Sequence, residues 1–452
     1  MSRVRYVVCG SLFVIAVLCQ VPLAAAKKGA AAPPALPRLR VDATQRTLET
    51  SAGAPFTYIG DTAWGMFTEL SSADRDYYLQ NRVSKGFTVI QAVALWDVCA
   101  GFSRCDISSP NRTYWKNIDQ GINKAEGLGL YVALLPTWGS VVTSGLLDEF
   151  TAEAYGRFLG ARYRDHPLIW VLGGDTVPIG YEAVWRALAR GLAIGQNGSE
   201  KYTGMLMTFH PGPYWDGSRW CVSAACWFRN DPWLSFTMLQ TGHCNECTTY
   251  GYVAEEYART PTRPVIVGEP GYENIPDYLI PANRLLSADS AERFAYGATF
   301  AGAFGHAYGA NEVYGFWDPG DTGWGYEIWG ASLPWRAAME LPGAARMGTL
   351  RTLLSGRLRR MPDQTLVLSQ NPDGLTHVQA TRAVDRTFAL FYIPDGRTIT
   401  LNGSALSTPT LTCTWLNPRD GSTTSCGIIA ASVQVMSAPT VGESWVLMLD
   451  AR

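Results

Sequence analysis

The sequence predicts an α/β protein, a closed (β/α)8 TIM barrel followed by a small all-β antiparallel sandwich. Two observations carry that expectation. Short, almost continuously apolar runs alternate with amphipathic stretches over residues 56–314, as parallel strands buried on both faces alternate with helices. Near residue 360 the texture changes to alternating segments separated by Asp-Gly, Asn-Gly and Pro turns, which suits an antiparallel sandwich. At 452 residues the chain has room for both.

Residues 1–26 read as an export signal peptide. Arg3 and Arg5 form a basic start, "YVVCGSLFVIAVLC" is apolar but too short to span a bilayer, and "PLAAA" offers cleavage near Ala26. Leu18 before Cys19 argues against lipidation. Residues 27–38 are a Lys/Ala/Pro linker, and the barrel is expected over 39–357. Its strand candidates are 56–62, 88–95, 130–136, 168–175, 206–211, 235–243, 264–270 and 305–314. Stretches beginning at Ser71, Asp148, Tyr181 and Ser287 carry helix start signals and end at Gly or Pro. In the second, Phe150, Tyr155, Phe158, Leu159 and Tyr163 fall near helical spacing. No G-x-G-x-x-G opens the first unit, which counts against a dinucleotide site. The sandwich is expected over 358–452.

A net charge of −2 gives no footprint for nucleic acid or anionic lipid, and no segment after the signal is apolar enough to cross a membrane. The mature chain is expected to be a secreted monomer, extracellular or, in a bacterium, periplasmic. Sixteen Trp and 45 Gly suit open clefts where sugar faces stack, and equally suit large cores. Of ten cysteines, Cys9 and Cys19 leave with the signal. The others fall in close pairs: Cys99 with Cys105, Cys221 with Cys226, Cys244 with Cys247, and Cys413 with Cys426. Eight cysteines allow 105 connectivities, and local staples are the simplest for an oxidising compartment. His243 beside Cys244 and Cys247 could instead suggest zinc. Export favours disulfides, so no metal or other cofactor is expected. Asn111, Asn197 and Asn402 sit in glycosylation sequons.

Two segments share a form. "WVLGGDT" ends an apolar run with Asp175, and "PVIVGEP" ends another with Glu269. In a (β/α)8 barrel the chemistry sits at the C-terminal strand ends, and these are the fourth and seventh strands. Glycosidic hydrolysis needs one acid for the leaving oxygen and one carboxylate as nucleophile or base. Either acid alone reads as readily as a helix cap or an Arg partner. Asp61, Gln91, His210 and His243 also lie in or at the ends of strands, where hydroxyl-reading groups would ring the mouth. Trp64, Trp138, Trp317 and Trp324 lie in loops on that face and could stack on sugars, or simply pack. Glu273, Glu312 and Asp318 are weaker acid candidates.

"PFTYIGDTAW", "GLYVALLPTWG", "HPLIWVLGGD", "MLMTFHP", "MLQTGH", "PVIVGEPGYE" and "FAGAFGHAYG" together resemble the apiosidase-like glycoside hydrolase family, over roughly residues 40–350. The tail, with "TWLNPRDG" and "ESWVLMLD", resembles the collagen-binding domain of collagenase type that commonly follows this barrel. The resemblance implies a secreted hydrolase of plant-type or related polysaccharides. It matches Asp175 to the acid/base and Glu269 to the nucleophile, and the activity known for the family cleaves apiosyl linkages of a pectic side chain. Gln240, Tyr272 and His306 fall inside the shared stretches and join the expected substrate-binding residues. The chain departs from the family in cysteine-bearing insertions at 99–105, 221–226 and 244–247. A non-catalytic carbohydrate- or matrix-binding protein would keep the aromatics and need neither acid. A metalloprotease would need H-E-x-x-H, and none of the five histidines provides it. The enzyme reading expects the two carboxyls roughly 5–6 Å apart, with their pKa values pushed apart.

Overall fold

The computed structural model describes residues 36–322 and 329–452. The expected signal, most of the linker and Trp324 lie outside the described residues.

Eight parallel strands form the barrel: β1 (Tyr58–Thr62), β2 (Val89–Val93), β3 (Tyr131–Leu135), β4 (Ile169–Thr176), β5 (Leu206–Pro211), β6 (Thr237–Gln240), β7 (Val265–Glu269) and β8 (Gly305–Tyr308). The ladder runs β6-β7-β8-β1-β2-β3-β4-β5. The seam between β5 and β6 is joined by Ser and Thr. Thr208 Oγ1 donates to Phe236 O at 2.8 Å, and Ser235 Oγ accepts from Met207 N–H at 3.1 Å. The sixth and eighth strands are shorter than expected, because residues 241–243 and 309–314 turn into loops at the barrel mouth.

The pleat sorts the side chains. Tyr58, Val89, Tyr131, Ile169, Met238 and Ile266 fill the interior, while Ile59, Ile90, Val132, Trp170 and Leu172 pack under the helices. A three-stranded antiparallel unit (Leu39–Val41, Leu48–Thr50, Pro55–Phe56) adds Leu39 and Leu48 to the interior core. The main helices are α1 (Ser72–Ser84), α2 (Arg112–Gly127), α3 (Glu149–Arg162), α4 (Glu182–Asn197), α5 (Thr249–Ala258), α6 (Ala288–Phe300) and α7 (Pro342–Ser355). Asp148 with Thr151 and Ser287 with Ser290 form reciprocal caps on α3 and α6. α3 and α4 meet with backbones nearly touching. A Cβ on Gly160 would stand 2.2 Å from Leu192 O, and one on Gly195 would stand 2.3 Å from Arg157 O. Small residues four apart on both helices permit that approach. Phe150, expected on the apolar face of α3, is instead 82% exposed: it sits in the first turn, off the packed stripe.

The C-terminal domain is all antiparallel. Its strands are β9 (Arg360–Pro362), β10 (Gln379–Ala383), β11 (Phe388–Ile393), β12 (Ile399–Asn402), β13 (Thr410–Leu416), β14 (Thr423–Ala430), β15 (Val433–Met436) and β16 (Trp445–Ala451). Six form one sheet, and β12 pairs with β15 as a ribbon over it. Phe391, Leu401, Leu411, Trp415 and Leu447 fill the space between. The sheet's other face continues the barrel core through Leu390, Tyr392, Val446 and Met448. There Tyr392 stacks on Tyr296 of α6 at 5.1 Å and donates to Glu292 at 3.1 Å.

Three of the expected disulfides are present: Cys99–Cys105, Cys244–Cys247 and Cys413–Cys426. The fourth is not, and Cys221 and Cys226 are free thiols. The two thiols nevertheless stand within hydrogen-bond reach of each other, on a segment held by its backbone. Val222 O accepts from Gln240 N–H at 2.9 Å, Ala224 N–H bonds Met238 O at 3.0 Å, and Ala225–Phe228 is a helical turn.

Candidate active site

Asp175 owes its position to the two glycines before it. Gly173, Gly174 and Asp175 have φ of 89°, 115° and 44°, and the β4–β5 register shifts between Gly173 and Thr176. Three successive left-handed residues make a bulge that turns Asp175 out of the pleat and into the cleft. No larger residue fits: a Cβ on Gly173 would lie 2.4 Å from His210 O, and one on Gly174 would lie 2.8 Å from the Trp138 ring.

Glu269 closes β7 directly beside Gln240 of β6 and is 5% accessible. Gln240 Nε2 donates both its hydrogens, one to Asp175 Oδ1 at 2.9 Å and one to Glu269 Oε1 at 3.2 Å. Those two bonds cap the separation of Asp175 Oδ1 and Glu269 Oε1 at about 6 Å.

The histidine tautomers follow from their backbone contacts. His210 Nδ1 accepts from Asp175 N–H at 3.1 Å, and His243 Nδ1 accepts from Tyr272 N–H at 3.3 Å. Each therefore carries its proton on Nε2, and both Nε2 atoms face Glu269. His243 reaches Oε1 at 3.2 Å. His210 Nε2 lies 2.9 Å from Oε2. Tyr272 Oη accepts from Trp64 Nε1–H at 3.1 Å and turns its own proton toward Glu269.

These surroundings set the charges. Burial works against the Glu269 carboxylate, but the two imidazoles outweigh it and hold the group well below the usual glutamate range. Asp175 is pushed above the usual aspartate range, first by burial and then by the charge on Glu269. Its side chain is exposed to the cleft yet has protein on most sides, so it is open to a ligand but poorly solvated. Oδ1 accepts from Gln240, which leaves Oδ2 as the oxygen that carries the proton whenever the group is neutral.

The cleft above the pair measures about 420 Å³. Trp96 stacks on Trp138 at 5.0 Å, and Trp64 leans on Trp138 at 5.5 Å. Tyr272, Tyr314 and Trp329 also line it. Seven expected residues thus share this cleft: Asp175, Glu269, Trp64, Trp138, Gln240, His243 and Tyr272. His210 is fully buried behind it and acts on Glu269 rather than on a ligand.

Four do not line it. Asp61 faces the helices, where Arg82 Nε stands 2.8 Å from its Oδ2 with both side chains at 0% exposure, and Tyr78 also donates to it. Gln91 points into the barrel below the cleft floor, donating to Gly268 O at 2.8 Å and so steadying the strand end that carries Glu269. His306 pairs in register with Ile59, shares its outward face, and is buried, which pushes its pKa down to about 3. Trp317 is half-buried in its loop, donating to Asp321 O at 3.3 Å. Trp96, Tyr314 and Trp329 were not expected. Trp96 directly follows the second strand candidate and Tyr314 ends the eighth, so their places were readable; Trp329 lies in a loop without a spacing signal.

A family model described as "Apiosidase-like, catalytic domain" matches residues 42–359. The chain belongs to the apiosidase-like family. It is therefore a glycoside hydrolase, and the solved structures similar to it agree. One described as "Glycoside hydrolase" is 30% identical with a TM-score of 0.83, covering 92% of this chain and 97% of that one. A glycoside hydrolase family 5 structure from Bacteroides vulgatus ATCC 8482 is also 30% identical at 0.83, covering 92% and 93%. Residues 361–450 of this apiosidase-like chain match the model "Putative collagen-binding domain of a collagenase". No curated protein matches by sequence.

Proposed function

We propose that this protein is a secreted, retaining glycoside hydrolase that cleaves apiosyl or related furanosyl linkages of a polysaccharide. Glu269 is the nucleophile and Asp175 the acid/base. The observation that carries this reading is the single Gln240 amide nitrogen bonded to both carboxyls. A pair within about 6 Å leaves no room for a water between carboxylate and sugar, as inversion requires, and suits direct attack.

In the first step Glu269 attacks the anomeric carbon while the glycosidic bond breaks, and Asp175 gives its Oδ2 proton to the departing oxygen. A covalent glycosyl ester and a free alcohol result. Asp175, now a carboxylate, takes a proton from water as that water attacks the same carbon. Glu269 leaves with its electron pair, and the product keeps the starting configuration. His210, His243 and Tyr272 hold Glu269 ionised before attack and stabilise it again as the leaving carboxylate. The aromatic walls supply apolar faces for the sugar. The three disulfides suit the export expected from residues 1–26.

The test is sugar release from an apiosyl-bearing pectic oligosaccharide, wild type against Glu269→Ala, with product configuration followed by NMR. Release at the initial anomeric configuration by wild type alone is expected. Undiminished release by Glu269→Ala would remove the nucleophile.

A further inference from the structure

Beyond β5 the chain makes an excursion that neither carboxylate uses. Gly212 N–H bonds Thr176 O at 2.8 Å, so this segment runs alongside Asp175, and Pro213 lines the cleft beside it. A short antiparallel ribbon follows, pairing Tyr214 with Cys221 and Trp215 with Trp220. Residues directly opposite in such a ladder share a face. The two indoles accordingly meet, with centroids 5.7 Å apart and planes at 62°. Both remain half open to solvent, Trp215 at 50% and Trp220 at 52%.

The ribbon is braced throughout. Asp216 Oδ1 accepts from Ser218 N–H and Arg219 N–H at 2.8 and 2.9 Å, closing the turn, and Arg219 Nη1 reaches Glu255 at 2.8 Å. Its return limb runs into Val222, whose carbonyl bonds Gln240, the residue bridging the two acids. The two indoles keep half of their surface open to solvent on a braced ribbon, where a ligand can reach them.

We infer that the Trp215–Trp220 ribbon is a platform for a sugar residue of the leaving group. The inference rests on the assignment of Asp175 as the acid. A general acid stands beside the leaving oxygen, and the ribbon stem lies against Asp175 rather than across the cleft from it. Trp215 is two extended residues beyond Pro213, at most about 7 Å along the chain from the cleft wall and so within reach of a sugar on the leaving-group side. The rings form a corner rather than a plane, which accepts one sugar ring and does not match a flat crystalline polymer. Their open surface, roughly 200 Å², is far below the ~800 Å² a protein partner needs.

The test compares wild type, Trp215→Ala, Trp220→Ala and the double variant on two substrates. One is a 4-nitrophenyl apioside, which has no leaving-group sugar; the other is the apiosyl-bearing pectic oligosaccharide. Each single change should lower kcat/KM on the oligosaccharide about tenfold, the loss of one aromatic contact. The nitrophenyl substrate should stay within about twofold, with melting temperatures unchanged because both side chains are on the surface. Equal losses on both substrates, or none on the oligosaccharide, would overturn the platform. If wild type cleaves neither substrate, the proposed function fails by itself. Binding of the same oligosaccharide, followed by tryptophan fluorescence, then decides the platform: an undiminished affinity in the double variant overturns it, and a weakened one supports it.

Discussion

Replacing Asp175 by Asn isolates proton donation from everything else that residue does. Asn tolerates the left-handed conformation at φ 44°, so the bulge survives, and its carbonyl can still accept from Gln240. Burial and the charge on Glu269 raise the pKa of Asp175, which favours its neutral form, and the proposed acid role uses that form, which Asn mimics. Glu269 therefore feels almost the same field, and its attack is preserved. What vanishes is the Oδ2 proton. General acid catalysis contributes about 100- to 10,000-fold, or roughly 3–5 kcal/mol of barrier. We expect kcat/KM on the pectic oligosaccharide to fall by that factor. A 2,4-dinitrophenyl apioside leaves without protonation, so its first step should stay within about tenfold. The second step then lacks its base, and a burst of phenolate should precede a slow steady state. Added azide, which needs no deprotonation, should restore turnover and give a glycosyl azide of retained configuration. The measurements are stopped-flow absorbance and NMR of the azide product. Equal losses on both substrates with no burst would refute Asp175 as the acid, and an inverted azide would refute the retaining geometry.

The pH dependence follows from the same two shifts. Asp175 must be protonated and its pKa is raised, so kcat/KM should fall with rising pH only above the ordinary aspartate range. Glu269 must be ionised and its pKa is lowered, so the acid limb should lie low. In Asp175→Asn the alkaline limb should disappear from the residual activity on the oligosaccharide, and its persistence would assign it to another group. Arg82→Met leaves Asp61 unpaired at 0% exposure and should cost about 3–5 kcal/mol in urea unfolding, largely recovered by adding Asp61→Leu. A loss below about 1 kcal/mol would contradict that buried pair. Gly160→Ala should destabilise by about 1–3 kcal/mol, because its Cβ meets Leu192 O at 2.2 Å. Gly127→Ala, with nothing within 4 Å, should be neutral or stabilising by up to about 1 kcal/mol in the same assay.

The sequence by itself determined the architecture and singled out two acids as candidates. Parallel strands buried on both faces must be apolar throughout, so the eight runs announced themselves. The acids at the ends of "WVLGGDT" and "PVIVGEP" stood out because a strand end is where a barrel exposes side chains. The glycines before Asp175 were visible too, though their purpose was not. Only the folded chain sets His210 O and the Trp138 ring where a Cβ would need to go.

Tertiary structure decided which polar strand residues reach the cleft. Asp61, Gln91 and His306 look like Gln240 and His243 in sequence, since each is a polar residue in or at the end of a strand candidate. The pleat sends Asp61 and His306 outward to the helix layer, and depth keeps Gln91 below the cleft floor. Orientation of that kind depends on register across neighbouring strands, and register joins residues far apart in the chain. The same holds for the Gln240 bridge. Its carboxyl partners lie 65 and 29 residues away, and no local pattern records that one amide nitrogen meets both. Residue types could suggest the chemistry, but the distance between the two acids, which separates retention from inversion, exists only after the barrel has closed.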